Sequence, residues 1–301
     1  MKVVVSGSSG LIGTALGVRL AGTGDEMIRL VRRPARAPGE FQWNPHAAGG
    51  GIDPAALEGA DAVVHLAGAP IAAGRWTAAR KREIRDSRIA GTSALVSALT
   101  AMRHPPPVLL SGSAIGYYGD TGGREVDESS AAGTGFLAGV VRDWEAAAAP
   151  AENAGIRVVN LRTGIVLSRH GGVLGRLLPL FRLGLGARIG SGTQVMSWIM
   201  LTDLVQILCF LLAQQDIKGP VNLTAPHPAA NAEFTSALAS AVGRKARLGL
   251  PAAALQFGLG EVAGELLSSA RVMPRRLLDV GGETLWHSGG SISAALAAEL
   301  S

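Results

Sequence analysis

"KVVVSGSSGLIG", residues 2–13, decides how the rest of the chain is read. The valine run Val3–Val5 favours a strand buried on both faces, since β-branched side chains suit a covered pleated surface. Glycines follow at 7, 10 and 13, and "LIGTALGVRLAGTG" (11–24) then reads as a helix ending at glycine. A strand, a G-x-x-G-x-x-G turn and a helix in direct succession leave the helix N-terminus open to an anion. The dipole favours negative charge there, and glycine puts no Cβ in the way of a phosphate. Gly7, Ser8, Ser9, Gly10, Leu11, Ile12 and Gly13 are therefore the expected holders of a dinucleotide pyrophosphate.

The same strand–helix alternation continues outward. "EMIRLVRR" (26–33), "FQW" (41–43), "DAVVHLAG" (61–68), "VLLSGS" (108–113) and "IRVVNLRTGIVL" (156–167) read as strands. Helices are expected at 77–102, where prolines 105–107 forbid continuation, and at 136–155. This predicts the α/β class: a doubly wound parallel sheet of Rossmann, NAD(P)-binding type, with a smaller C-terminal substrate lobe. The sheet domain is expected over 1–170, completed by part of 195–225, and the lobe mainly over 171–301. In that lobe "NAEFTSALASAVGR" reads as a helix capped by Asn231.

Composition removes other classes. The 301 residues are 48% hydrophobic and 17% charged, enough for a large core and unlike a disordered chain. The net charge is +5, but the basic residues are scattered with no run of five or more, so no nucleic-acid partner is expected. No apolar run approaches the roughly 18 residues of a membrane span. The N-terminus reaches its glycine turn too early for a secretory signal, and the single Cys209 allows no internal disulfide. A soluble, cytoplasmic protein is expected, with a small-molecule substrate and with a homodimer left open.

The end of the second strand bears on the choice of dinucleotide. It reads "RLVRRP", without the acid that holds a ribose 2′-hydroxyl. Arg32 and Arg33 suit a 2′-phosphate through planar charge-assisted hydrogen bonds, and the alternative is two surface arginines. NADP(H) is the expected cofactor. Leu66, Ala67 and Gly68 would lie against its adenine and ribose, while His65, between Val64 and Leu66, reads as a packed strand residue.

Gly7, Gly10 and Gly13, "DAVVHLAG" and "SGSAIGYYG", in this order, resemble the extended short-chain dehydrogenase/reductases, the group of sugar-nucleotide epimerases and dehydratases. "HLAGAPIAAGRWTAARKREIRDSRIAGT", "FLAGVVRDWEAAA", "LRTGIVLSRHGG", "WIMLTDLV" and "MPRRLLDVGG" look like an atypical branch: epimerase-family proteins with an added C-terminal domain of unknown function, here at about 250–301. The resemblance maps a catalytic serine to Ser113 and would put a Tyr-x-x-x-Lys pair on the helix beginning at Phe136. That pair is absent. The four lysines are Lys2, Lys81, Lys218 and Lys245; Thr77, Gln214 and Ala241 stand four places before the last three.

The chain's two tyrosines, Tyr117 and Tyr118, leave two readings: a substitute acid beside Ser113, or packing residues in a "YYG" turn. Arg162 could hold an anionic substrate or pair with a carboxylate. Arg75, Trp76 and Arg88 could line the cleft or belong to a solvated surface. The six histidines show no ligand spacing, so no metal is expected. Two functions stay open. One is an NADP(H)-dependent oxidoreductase or epimerase-like enzyme acting on a small polar molecule, a sugar nucleotide or a carbonyl compound. The other is a non-catalytic NADP(H) sensor or scaffold.

Overall fold

Val3, Val4 and Val5 have no exposed surface at all, a state that only a strand covered on both faces reaches. The computed structural model describes residues 1–47, 51–72, 74–288 and 290–301. Among these, β1 (Lys2–Ser6), β2 (Glu26–Val31), β3 (Glu40–Gln42), β4 (Ala62–His65), β5 (Val108–Ala114), β6 (Arg157–Thr163) and β7 (Gly219–Leu223) form one sheet. Its spatial order is β3-β2-β1-β4-β5-β6-β7, with every pair parallel. This is the doubly wound α/β architecture. The order reverses between β1 and β4, and the crevice at their carboxyl ends is where such sheets hold ligands.

Neighbouring residues of one strand serve opposite cores. Val64 and Leu110 join Leu16 of helix α1 (Leu11–Gly22) and Leu208 of a later helix, Leu201–Ala213. Val63 and Leu109 join Leu95 and Leu99 of helix α2 (Ala78–Thr100). Each such side chain contributes about 1.5–3 kcal/mol of burial, which is why these strands read as unbroken apolar runs. No described helix is long and apolar enough to cross a membrane.

Three expectations change in detail. The stretch 136–155 divides into helix α3 (Phe136–Ala148) and a short turn Pro150–Asn153, because Pro150 has no N–H to continue the ladder. The stretch 156–167 divides at Gly164, beyond which Ile165–Ser168 leaves the sheet to pair with Trp198–Met200. A Cβ at Gly164 would lie 2.7 Å from the Ser197 carbonyl oxygen, so the crossing needs glycine. Asn231 is the first residue of helix Asn231–Ala241 and does not cap it. Its Oδ1 accepts from the Ile189 N–H at 2.9 Å, a tertiary bond that outcompetes the local one.

The C-terminal part returns to the sheet. Arg271–Val272 pairs in parallel with Glu125–Val126 of the loop after β5. The Val272 carbonyl accepts from Thr224 at 3.1 Å, the Met273 carbonyl from Asn222 at 2.9 Å.

Candidate functional site

The glycine turn is packed backbone against backbone. Gly7 has φ +71°, the left-handed region, and a Cβ there would lie 2.7 Å from the Leu66 carbonyl carbon. A Cβ at Gly13 would lie 2.4 Å from the Gly7 carbonyl oxygen and 2.7 Å from Ser8 Cα. The turn thereby sits directly on the end of β4, at the reversal of strand order. Gly10 is the N-cap of α1 and no side chain caps the helix. Its first-turn amides are thus available to an anion. Ser9 and Gly10 are exposed, Ser8 is buried, and Leu11 and Ile12 pack against the core. These residues fit a pyrophosphate.

Past β2, Arg32 and Arg33 differ. Arg33 donates to both carboxylate oxygens of Glu40, at 2.7 Å each, and to the Pro34 carbonyl. The Arg33 guanidinium, helped by the Arg36 N–H, holds the Glu40 carboxyl down to about 2. Arg32 is exposed and has no side-chain hydrogen bond or ion pair among the described residues.

Beyond the ladder, β4 leads into Leu66 and Ala67, which border the glycine turn, and Gly68, which faces the Arg88 side chain. His65 is fully buried, with Nδ1 2.6 Å from Ser6 Oγ, and burial pulls it down to about 4. It is a neutral packed residue, as its sequence setting implies.

At the carboxyl end of β5 and β6 the chain assembles a connected polar cluster. Ser113 and Arg162 are register partners on these strands. Both turn to Glu145 on α3. Ser113 Oγ donates to Glu145 Oε1 at 2.6 Å. Arg162 donates from Nε to Oε1 at 2.8 Å and from Nη2 to Oε2 at 2.9 Å, the bidentate geometry that makes an arginine–carboxylate pair strong. Arg162 Nη1 reaches the Tyr118 hydroxyl at 2.9 Å, which in turn donates to Asn222 Oδ1 at 2.8 Å. The Arg162 guanidinium also lies 3.5 Å from the centre of the Tyr117 ring. Burial pulls the Arg162 pKa down, but the Glu145 and Tyr118 contacts outweigh it and the net shift is upward.

The geometry bears on several of the readings left open. Tyr118 is buried, both accepts and donates a hydrogen bond, and is pushed up to about 12 by burial, which fits the packing reading. Arg162 pairs with a carboxylate, so it is not an open anion site. Trp76 donates to the Ile71 carbonyl and packs on Phe136 with Ile84 and Val262; it is core. Arg88 is not on the solvated surface. It is buried against the Trp144 ring, bonded to the Ala69 and Ile84 carbonyls, and burial with the Arg80 charge pulls it down to about 10. Arg75 is exposed beside Gly260. Tyr117 stays half-buried at the cluster's edge.

Residues 3–224 match the model of the NAD dependent epimerase/dehydratase family, and residues 250–281 match a domain of unknown function, DUF1731. The chain belongs to the NAD dependent epimerase/dehydratase family. It is 49% identical over 280 residues to epimerase family protein MT2273 of Mycobacterium tuberculosis, covering 93% of this chain and 92% of that one. The crystal structure of human epimerase family protein SDR39U1 (isoform 2) with NADPH superposes with a TM-score of 0.91 at 37% identity, over 100% and 99% of the two chains. A nucleoside-diphosphate sugar epimerase from Corynebacterium glutamicum gives 0.80 at 36%, over 100% of this chain and 58% of that one.

For this epimerase/dehydratase chain, the residues that sequence reasoning missed are Glu145 and Asn222. Glu145 stands in "RDWE" on the very helix searched for tyrosine and lysine. The signal available was the unpaired Arg162 on a strand, which demands a carboxylate.

Proposed function

We propose that this protein binds NADP(H) and acts as an oxidoreductase or epimerase-like enzyme on a small polar molecule. One observation carries the reading: an uncapped helix N-terminus, fronted by Gly7, Gly10 and Gly13, at the point where strand order reverses. The human relative's structure with NADPH supports it. In this reading the amides of the Gly7–Gly13 turn hold the pyrophosphate, Arg32 meets the 2′-phosphate, and Leu66, Ala67 and Gly68 border the adenosine. The nicotinamide, when bound, supplies hydride transfer. Ser113 is the residue that touches the substrate; Glu145 and Arg162 hold it in place. Small polar substrates fit an assembly whose polar groups lie at the carboxyl ends of β5 and β6.

A second reading, a non-catalytic NADP(H) sensor, is favoured by one specific observation. No tyrosine–lysine pair stands on α3, and the Tyr118 proton is already engaged. Calorimetry with NADPH, followed by turnover assays over sugar nucleotides and small alcohols and carbonyls, separates the two. No heat with any nicotinamide nucleotide rejects both. Binding without turnover, unaltered by Ser113→Ala, favours the sensor.

A further inference from the structure

The hydroxyl of Ser113 has one proton, and its destination is determined by Glu145. A carboxylate that already receives two N–H bonds from Arg162 is an acceptor only, so in the 2.6 Å contact Ser113 must donate. Glu145 is fixed in place by the buried Arg162 guanidinium, so a charged acceptor always stands ready for that proton and favours it over a neutral one. The same logic runs on through the cluster. Asn222 Nδ2 donates to the Met273 carbonyl at 2.9 Å, which turns Oδ1 towards Tyr118 and takes up the phenolic proton. Ser113 is thus left with lone pairs alone, and no described residue donates to them.

We infer that the group seated against Ser113 is a hydrogen-bond donor, the hydroxyl of an alcohol substrate, held there more tightly than the carbonyl it becomes on oxidation. A carbonyl there would face an oxygen without a proton, with the Glu145 charge behind it, and would itself remain unpaired. This reverses the ordinary expectation that such a serine polarises a carbonyl. It rests on the enzymatic reading above and narrows its substrate class. Glu145 is a positioning residue in this scheme, acting on the substrate only through Ser113.

The test is a binding screen by ligand-observed NMR with matched alcohol and ketone pairs of the same carbon skeleton, small polyols and their keto forms. The alcohols are screened with NADPH present and the ketones with NADP⁺, so that neither can react. Binders that depend on Ser113, weakened about tenfold by Ser113→Ala, should all be alcohols, with their ketone partners weaker and indifferent to the substitution. A ketone lost on Ser113→Ala, or a panel without one Ser113-dependent alcohol, overturns the inference. Neutron diffraction on the wild-type protein tests the premise without any variant: the Ser113 deuteron should point at Glu145, and a deuteron pointing elsewhere refutes it. NADPH binding to the wild type is read separately by fluorescence. Its absence defeats the proposed function, while the polarity of Ser113 is still decided by the neutron map and by the same screen without nucleotide.

Discussion

Glu145→Ala should be among the most damaging single substitutions in this chain. The side chains of Arg162 and Glu145 are only 3% and 13% exposed, so removing the carboxylate strands a guanidinium away from water. Breaking a buried pair in this way costs about 3–5 kcal/mol. The loss of an acceptor for Ser113 falls within that range. Unfolding entropy of about 2.1 cal/mol/K per residue, taken over 301 residues, gives roughly 0.6 kcal/mol/K. The expected fall in Tm is therefore about 5–8 °C. Differential scanning fluorimetry measures it, and urea titration with an unchanged slope checks that the native state is otherwise intact. The double variant Glu145→Leu/Arg162→Met removes both charges and should recover to within about 1–2 kcal/mol of the wild type. A Glu145→Ala melt within about 2 °C of wild type, or a double variant no more stable than the single one, would refute the reasoning.

Arg32→Ala should weaken NADPH binding by about 10–100-fold and leave NADH nearly unchanged, because only the 2′-phosphate loses a charge-assisted partner. Arg33→Ala should do much less, since Arg33 is already held by Glu40; paired fluorescence titrations decide, and equal losses for both nucleotides would reject the assignment. Stability should fall on acidification through His65. Its folded value of about 4 lies below the unfolded 6.5, so the unfolded chain takes a proton that the native state refuses. Between about pH 7 and pH 5 this removes about 2 kcal/mol, and His65→Phe should flatten that slope in denaturant titrations. Finally, in Tyr117→Phe, tyrosinate absorbance should remain low at about pH 10.5, where a free phenol is mostly ionised, because Tyr118 is pushed up to about 12. A midpoint near 10 in the folded protein would contradict its burial.

What could be read from residues alone was whatever depends on near neighbours in the chain. Val3–Val5, the glycines at 7, 10 and 13, and prolines 105–107 act locally, so the strand, the turn and the stop of α2 were all visible. The cluster at Ser113 was visible only in part. Ser113 follows from its strand, but Glu145 arrives from α3 and Asn222 from β7, 32 and 109 positions on, and no local pattern announces such a meeting. The orientation of Tyr118 is also set from afar, through Asn222 and the Met273 carbonyl. The engagement of Arg33 was hidden for the same reason: its partner, Glu40, lies on β3. Trp76 illustrates the opposite hazard. A tryptophan after a glycine–arginine pair invites a binding role, yet its neighbours in space are Phe136 and Val262.

The return of residues 271–273 to β7 ties together distant stretches of the chain. The glycine turn and the end of β4 that it rests on lie within residues 7–68. The carbonyl that orients Asn222 belongs to Met273, about two hundred residues further on. Nucleotide cradle and substrate end are therefore built by segments far apart in the chain and joined only through the sheet between them.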